Sequence, residues 1–180
     1  MLTLKIPRRE FFNEADGEFI YIKETTLQLE HSLISIAKWE SKWEKAFLVE
    51  RPQKTIEEFE DYVKCMTINQ NVDPLVYKAL TTEEWTKISD YINSKQSAAW
   101  FSEQKRGRSN ETPTADLIYY WMVALNIPFE CQKWHLNRLL TLIRVCSIKN
   151  TPPKKMSKNE ILRRNAALNK ARRAKHGSKG

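Results

Sequence analysis

TLQLEHSLISIAKWESKWEKAF, residues 26–47, contains the change of hydrophobic period that decides the fold class. Its first five residues, TLQLE, alternate polar and apolar side chains, which is the period of a half-buried β-strand. Beyond Ser32, a candidate N-cap, apolar side chains recur at helical spacing and charged side chains fill the opposite face. The apolar positions are Ile36, Trp39, Trp43 and Phe47. The stretch therefore predicts a strand that passes directly into an amphipathic helix.

The segment before this stretch has the same strand-like alternation. LTLKI begins at Leu2, and FIYIK occupies 19–23. Between them, Asp16-Gly17 lies at the centre of a turn-forming segment. We therefore predict a small antiparallel meander or hairpin within residues 2–30.

The segment after it is predicted to be helical. Capping boxes at Thr55–Glu58 and Thr81–Glu84 each begin a helix. Two strongly apolar helices are expected at about 114–126 and 129–147. Because their connection is short, we expect them to pack antiparallel at the centre of the fold. The predicted fold class is α+β, mainly α-helical, with a small N-terminal antiparallel β-sheet followed by a helical bundle and a basic C-terminal tail.

Glycine and cysteine usage excludes several functions. The four glycines leave no Gly-rich loop to cradle a phosphate, so Walker and dinucleotide-binding sites are excluded. The three cysteines are widely spaced, which indicates reduced thiols. No apolar run has the length of a signal-peptide core or a membrane span. These features predict a cytoplasmic protein that has no membrane partner.

Residues that could carry catalysis or bind a metal are sparse. The chain has three histidines and no nucleophile elbow, so we expect no enzyme and no catalytic residues. Cys131 and His135 are four residues apart and would share a helix face, but no further ligand lies nearby in sequence. We interpret them as a packed thiol and an amphipathic histidine. The prediction is no metal site, no cofactor-binding residue and no cofactor.

Charge divides the chain into two parts. Residues 149–180 contain eleven Lys or Arg and one acid, for a net charge of +10, whereas 1–148 contain nineteen basic and twenty-one acidic residues, for −2. We predict a folded body at 1–148, β-rich over 2–30 and helical over 31–148. Residues 149–180 are predicted to be a basic tail that is partly helical or disordered.

The tail supplies most of the predicted partner-binding residues. A third capping box, Ser157–Glu160, precedes a segment with a thin apolar stripe. Three roles remain open for it: docking on an acidic protein, binding nucleic acid or another polyanion, and simple solubilisation. The basic residues concerned are Lys154, Lys155, Lys158, Arg163, Arg164, Lys170, Arg172, Arg173 and Lys175.

A second candidate contact region begins at Trp100. Trp100 and Phe101 fit no periodic stripe and could anchor a protein partner. Four other tryptophans match helix core faces and are predicted to lie in the core: Trp39, Trp43, Trp121 and Trp134. A polar loop follows at 102–113. Its basic residues Lys105, Arg106 and Arg108 are added to the predicted contacts.

Four stretches of the chain resemble the tail assembly chaperones of long-tailed bacteriophages. They are HSLISIAKWESKWEKAFL at 31–48, CMTINQNVDP at 65–74, LIYYWMVALNIPFECQKWHLNRLLTLIRVC at 117–146, and the lysine- and arginine-rich end. The resemblance covers nearly the whole chain. None of these stretches is a catalytic motif.

The resemblance implies a non-enzymatic assembly factor that acts in the cytoplasm of the bacterial host. Its partner would be the tape measure protein, which such chaperones coat during tail morphogenesis, with the tail tube protein as a second candidate. It would be absent from the mature virion. Copies lined along one client would also associate with one another, and in many such phages a frameshift gives a longer form. The basic tail keeps nucleic-acid binding open as the alternative.

Overall fold

The computed structural model describes residues 1–13, 17–49, 54–101, 112–151 and 157–177. The chain divides into two compact units, Met1–Ser147 and Ile148–Gly180. The α+β fold predicted from the sequence, mainly helical with a small N-terminal antiparallel sheet, is confirmed. Within the described ranges, every helix falls short of the length and apolarity that a membrane span requires.

The N-terminal strands form one antiparallel ribbon with a break in its middle. Strand β1 (Leu2–Ile6) pairs with β4 (Thr25–Leu29), and β2 (Arg9–Asn13) pairs with β3 (Glu18–Ile22). The two ladders share one register, because paired residue numbers sum to 31 in both. Pro7 lies at the break and has no N–H to donate to a ladder. The predicted hairpin is therefore correct.

The helices follow in chain order, and each predicted capping box is present at its N-terminus. A Ser32 box, with Ser35 as partner, begins the first helix. The helices are α1 (Leu33–Trp43), α2 (Ile56–Met66), α3 (Leu75–Lys78), α4 (Thr82–Asn93), α5 (Ala115–Ala124), α6 (Leu136–Asn150) and α7 (Lys158–His176). A 3-10 helix, Phe129–Lys133, lies between α5 and α6.

Helix α1 lies at the centre of the body, not the pair α5 and α6 as predicted. It packs on both α2 and α5, and its Leu33, Ile36 and Trp39 are almost fully buried. The Trp39 indole N–H donates to the backbone carbonyl of Glu58 at 2.8 Å, which fixes α1 on α2. Among the described elements, α5 and α6 are not one of the pairs with the closest backbone approach.

The connection between α5 and α6 is longer than predicted. The predicted helix from Phe129 begins only at Leu136, because a separate 3-10 helix occupies 129–133. The backbone N–H of Leu136 donates to the carbonyl of His31 at 2.7 Å, and Ser32 and His135 form an isolated bridge. The chain thus crosses to the junction of β4 and α1 before α6 begins.

Two other local predictions are also corrected. Helix α1 ends at Trp43, because Glu44 adopts a left-handed conformation with φ of 51°. Phe47 is therefore buried from the segment after the helix and not from its face. Trp134, which was predicted to lie in the core, is exposed, and the guanidinium of Arg138 stacks on its ring at 4.3 Å.

Helix α7 belongs to the second unit. It has 19 residues, a Ser157 capping box at its start and Gly177 in the left-handed conformation at its end. None of its residues is buried. Its helical conformation therefore rests on capping and local propensity.

Candidate partner-binding site

The two body histidines lie side by side in the core. The His31 and His135 rings have centroids 5.0 Å apart in an edge-on arrangement. Nε2–H of His135 donates to the carbonyl of Tyr91 at 2.9 Å, and its Nδ1 accepts from the backbone N–H of Asn137 at 3.3 Å. Both ring nitrogens are therefore satisfied by the neutral ring with its proton on Nε2.

His31 is also a neutral ring in the folded protein. Its Nδ1 lies 2.5 Å from the Tyr62 hydroxyl. Burial, and then the neighbouring His135, lower the pKa of His31 to about 3. Burial also lowers the pKa of His135, although its hydrogen bond to Tyr91 opposes that shift. The contacts of both rings are those of buried packing groups.

The carboxylates that cap helices are also engaged in ion pairs. Glu84 accepts two hydrogen bonds of 2.8 Å from the Arg9 guanidinium and closes the α4 capping box. Glu58 closes the α2 box and pairs with Lys45. Among the described residues, no group of three or more His, Cys, Asp or Glu side chains is placed to hold a metal ion.

An open groove of about 610 Å³ lies beside Trp100 in the body. One wall is the segment 95–101, and the other is the adjacent face of α6. The side chain of Trp100 is 85% exposed at this groove. The lining residues are Lys95, Ser97, Ala99, Trp100, Phe101, Asn137, Leu140, Thr141 and Arg144.

Two polar side chains of the α6 wall donate hydrogen bonds to backbone carbonyls. Asn137 donates through Nδ2 to the carbonyls of Ile92 at 3.0 Å and Ser94 at 2.8 Å. The Thr141 hydroxyl donates to the carbonyl of Asn137 at 2.7 Å. The Asn137 bonds fix the end of α4 and Ser94 against α6, whereas the Thr141 bond lies within α6. The groove is thus a preformed feature of the fold.

The charged groups at the groove are cationic. Lys95 and Arg144 line it, and no carboxylate is present among the lining residues that the structure describes. The Arg144 guanidinium lies over the Phe101 ring at 4.1 Å from its centroid. The Nε atom of Arg144 is buried and has no hydrogen-bond partner in the described part of the chain. The groove therefore combines aromatic surface with positive charge.

The predicted contact residues are divided between the two units. Trp100 is exposed, as an anchor must be, whereas Phe101 is half-buried beneath Arg144. The predicted tail residues that the structure describes all lie on α7 and are exposed: Lys158, Arg163, Arg164, Lys170, Arg172, Arg173 and Lys175. The remaining predicted contacts, Lys105, Arg106, Arg108, Lys154 and Lys155, lie outside the described residues.

Sequence reasoning missed Lys95 and Arg144 as groove residues. Arg144 had a visible signal, since it interrupts the apolar run LLTLIRVC at the end of a core helix. A cation at such a position is either solvated or paired. Lys95 had no comparable signal, because its place at the groove depends on how the chain leaves α4.

Comparison of the chain with protein-family models, with curated proteins and with solved structures found no match.

Proposed function

We propose that this protein is a non-enzymatic tail assembly chaperone of a long-tailed bacteriophage, which binds the tape measure protein in the host cytoplasm. The observation that carries the proposal is helix α7, which is capped at both ends and buries none of its residues. An isolated helix of this length is only marginally stable in water, because most helical stability comes from packing. Such a helix favours a function in which a partner supplies the packing.

The groove beside Trp100 supplies a second contact in this proposal. Exposed tryptophan and arginine side chains are the residues that most often dominate protein interfaces. Trp100 is exposed and Arg144 lines the same groove. Asn137 holds Ile92 and Ser94 against α6, so a partner need not order this part of the groove when it binds.

The proposed mechanism uses many weak sites. A tape measure protein is long and helical, so several copies of the chaperone bind along one molecule and neighbouring copies touch. Binding in a row raises the effective concentration of each copy, so that each contact can be weak. The tail tube protein is a second proposed partner, reached when the tube polymerises around the coated client.

The charge distribution of α7 favours nucleic-acid binding as a second candidate function. Arg163, Lys170, Arg172 and Arg173 project at different angles around the helix, since successive residues are rotated by about 100°. Ile161 and Leu168 therefore do not form a wide apolar face. A helix that is cationic on all sides suits phosphate contacts at least as well as a protein groove.

Co-expression of the chain with its candidate client tests the main proposal. We expect the tape measure protein to be soluble and to carry several copies of the chain after pull-down. Truncation after Asn150 should weaken capture while the body stays folded. A client that is insoluble in the presence of the chain, or equally soluble without it, contradicts the proposal.

Two matched α7 variants separate the alternatives. One replaces Ile161, Leu162 and Leu168 with Ser and keeps every charge. The other replaces Arg163, Arg172 and Arg173 with Gln and keeps the apolar residues. Protein docking should be weakened by both variants. Nucleic-acid binding should be weakened only by the second variant. A plot of the logarithm of the association constant against the logarithm of the salt concentration should then have a slope of about −0.9 per phosphate contacted.

A further inference from the structure

The groove between residues 95–101 and α6 has the chemistry of a binding site for a negatively charged, partly apolar ligand. Two cations line it, and its described lining contains no acid to neutralise them. The amide N–H groups of Asn137 and the hydroxyl of Thr141 donate to backbone carbonyls within the fold. The charged donors at the groove are therefore those of Lys95 and Arg144.

Arg144 is the charged group at the groove whose orientation the fold fixes. Its Nε atom is buried and has no hydrogen-bond partner among the described residues, so a ligand in the open groove meets the terminal nitrogens of the guanidinium. Its guanidinium is oriented by stacking on Phe101. An oriented guanidinium matches a carboxylate, which accepts two parallel hydrogen bonds from it.

Trp100 supplies the apolar half of the site. Its side chain is 85% exposed, and Leu140 lines the groove from α6. A large exposed aromatic next to an oriented arginine suits a ligand whose carboxylate and apolar side chain are close together. Asp or Glu flanked by Leu in a peptide has this arrangement.

We infer that this groove binds an acidic segment of a partner protein, with a Glu or Asp carboxylate on Arg144 and a neighbouring apolar side chain on Trp100. The inference deepens the proposed function and rests on it, because the segment would belong to the protein that the chain captures. Lys95 adds charge attraction at the groove. The occupant is a peptide carboxylate and not a phosphate backbone.

The test uses the full-length chain and a pair of synthetic peptides. One is N-acetyl-Gly-Leu-Glu-Leu-Gly-amide, and the other has Gln in place of Glu. Isotope-labelled protein is titrated with each, and the resonances of the Arg144 Nε–H and the Trp100 indole N–H are followed. The Glu peptide should shift both resonances, and the Gln peptide should bind at least about tenfold more weakly, as expected for loss of a charge-assisted hydrogen bond.

Two arginines of α6 provide a matched comparison. Arg144→Gln should weaken binding of the Glu peptide about tenfold or more. Arg138→Gln should leave it unchanged, because Arg138 stacks on Trp134 and does not line the groove. Trp100→Ala, at an exposed side chain, should weaken both peptides alike. If Arg144→Gln fails to fold, Arg144→Lys replaces it and should still weaken binding, because lysine lacks the planar fork.

Each remaining outcome counts against the inference. Equal binding of the Gln peptide, or equal loss in the two arginine variants, overturns it. Displacement of the Glu peptide by inorganic phosphate at the same concentration assigns the site to phosphates and also overturns it. The peptides need no tape measure protein. Peptide binding without client capture contradicts only the chaperone proposal, whereas client capture that is unaffected by Arg144→Gln contradicts only the groove.

Discussion

The neutral pair of buried histidines predicts that the body loses stability when the pH falls below the usual histidine range. His31 has an ordinary pKa of 6.5 when unfolded and a pKa of about 3 in the fold. Because its folded pKa is the lower one, the unfolded chain takes up the proton first. Stability is therefore fully present above about pH 6.5 and falls steadily as the pH drops toward 3.

The size of the effect follows from linkage. At about pH 5 the unfolded imidazole is almost fully protonated and the folded one is neutral. One pKa unit corresponds to about 1.4 kcal/mol, so His31 alone should reduce the free energy of unfolding by about 2 kcal/mol at this pH. His135, whose pKa is also lowered by burial, acts in the same direction.

The assay is urea unfolding of the full chain, followed by tryptophan fluorescence, at about pH 7.5 and pH 5. The comparison stops at pH 5 because lowered carboxylate pKa values act at more acidic pH. Hydrogen bonds from Lys45 and Thr55 lower the pKa of Glu58. The stability that this ionised carboxylate contributes to the fold is therefore also lost as the pH falls.

His31→Asn isolates the histidine, because the asparagine amide can donate or accept a hydrogen bond at the Tyr62 hydroxyl but does not titrate. The variant should lose about 2 kcal/mol less than the natural chain between the two pH values. His176→Asn, at an exposed position of α7, is the matched control and should behave like the natural chain. If His31→Asn loses as much stability as the natural chain, His31 is not a neutral buried ring and the reasoning is refuted.

Two further predictions concern packing and capping. Leu139→Ala should lower the free energy of unfolding by about 2–5 kcal/mol, because Leu139 is fully buried. The neighbouring Leu140→Ala should lower it clearly less, because Leu140 is only partly buried at the groove. Equal costs in urea unfolding would show that the burial of α6 is misassigned. Thr81→Ala should cost about 0.5–2 kcal/mol through loss of the N-cap that Glu84 completes. Thr86→Ala, at an exposed hydroxyl on the same helix, should cost little, and similar melting of the two variants would contradict the capping role.

The elements that depend on local chemistry were predictable from the sequence. The hairpin follows from alternation on either side of Asp16-Gly17, and the helix starts at Thr55, Thr81 and Ser157 follow from capping boxes. These signals lie within a few residues of the structure that they determine. Propensity and capping are local terms, so they can be derived without tertiary contacts.

The elements that depend on contacts between distant residues were not predictable. The late start of α6 depends on the hydrogen bond between Leu136 and His31, which are far apart in sequence. A helical spacing of Phe47 with Trp43 did not indicate that Glu44 would end α1. The groove likewise forms where the exit from α4 meets α6, and the sequence marked only Trp100 in advance. No periodicity of a single segment contains such information.

The break in the ribbon at Pro7 divides the hairpin into a root and an arm that can open separately. The root, β1 with β4, buries Leu4, Ile6, Leu27 and Leu29 in the core, so its amides should exchange with solvent only when the body unfolds. The arm, β2 with β3, is held to the body by the Arg9–Glu84 ion pair and by Ile22, which is buried in the core. Loss of the ion pair would leave Ile22 buried, so the outer end of the arm would open first and the shared register would guide it back to the same pairing.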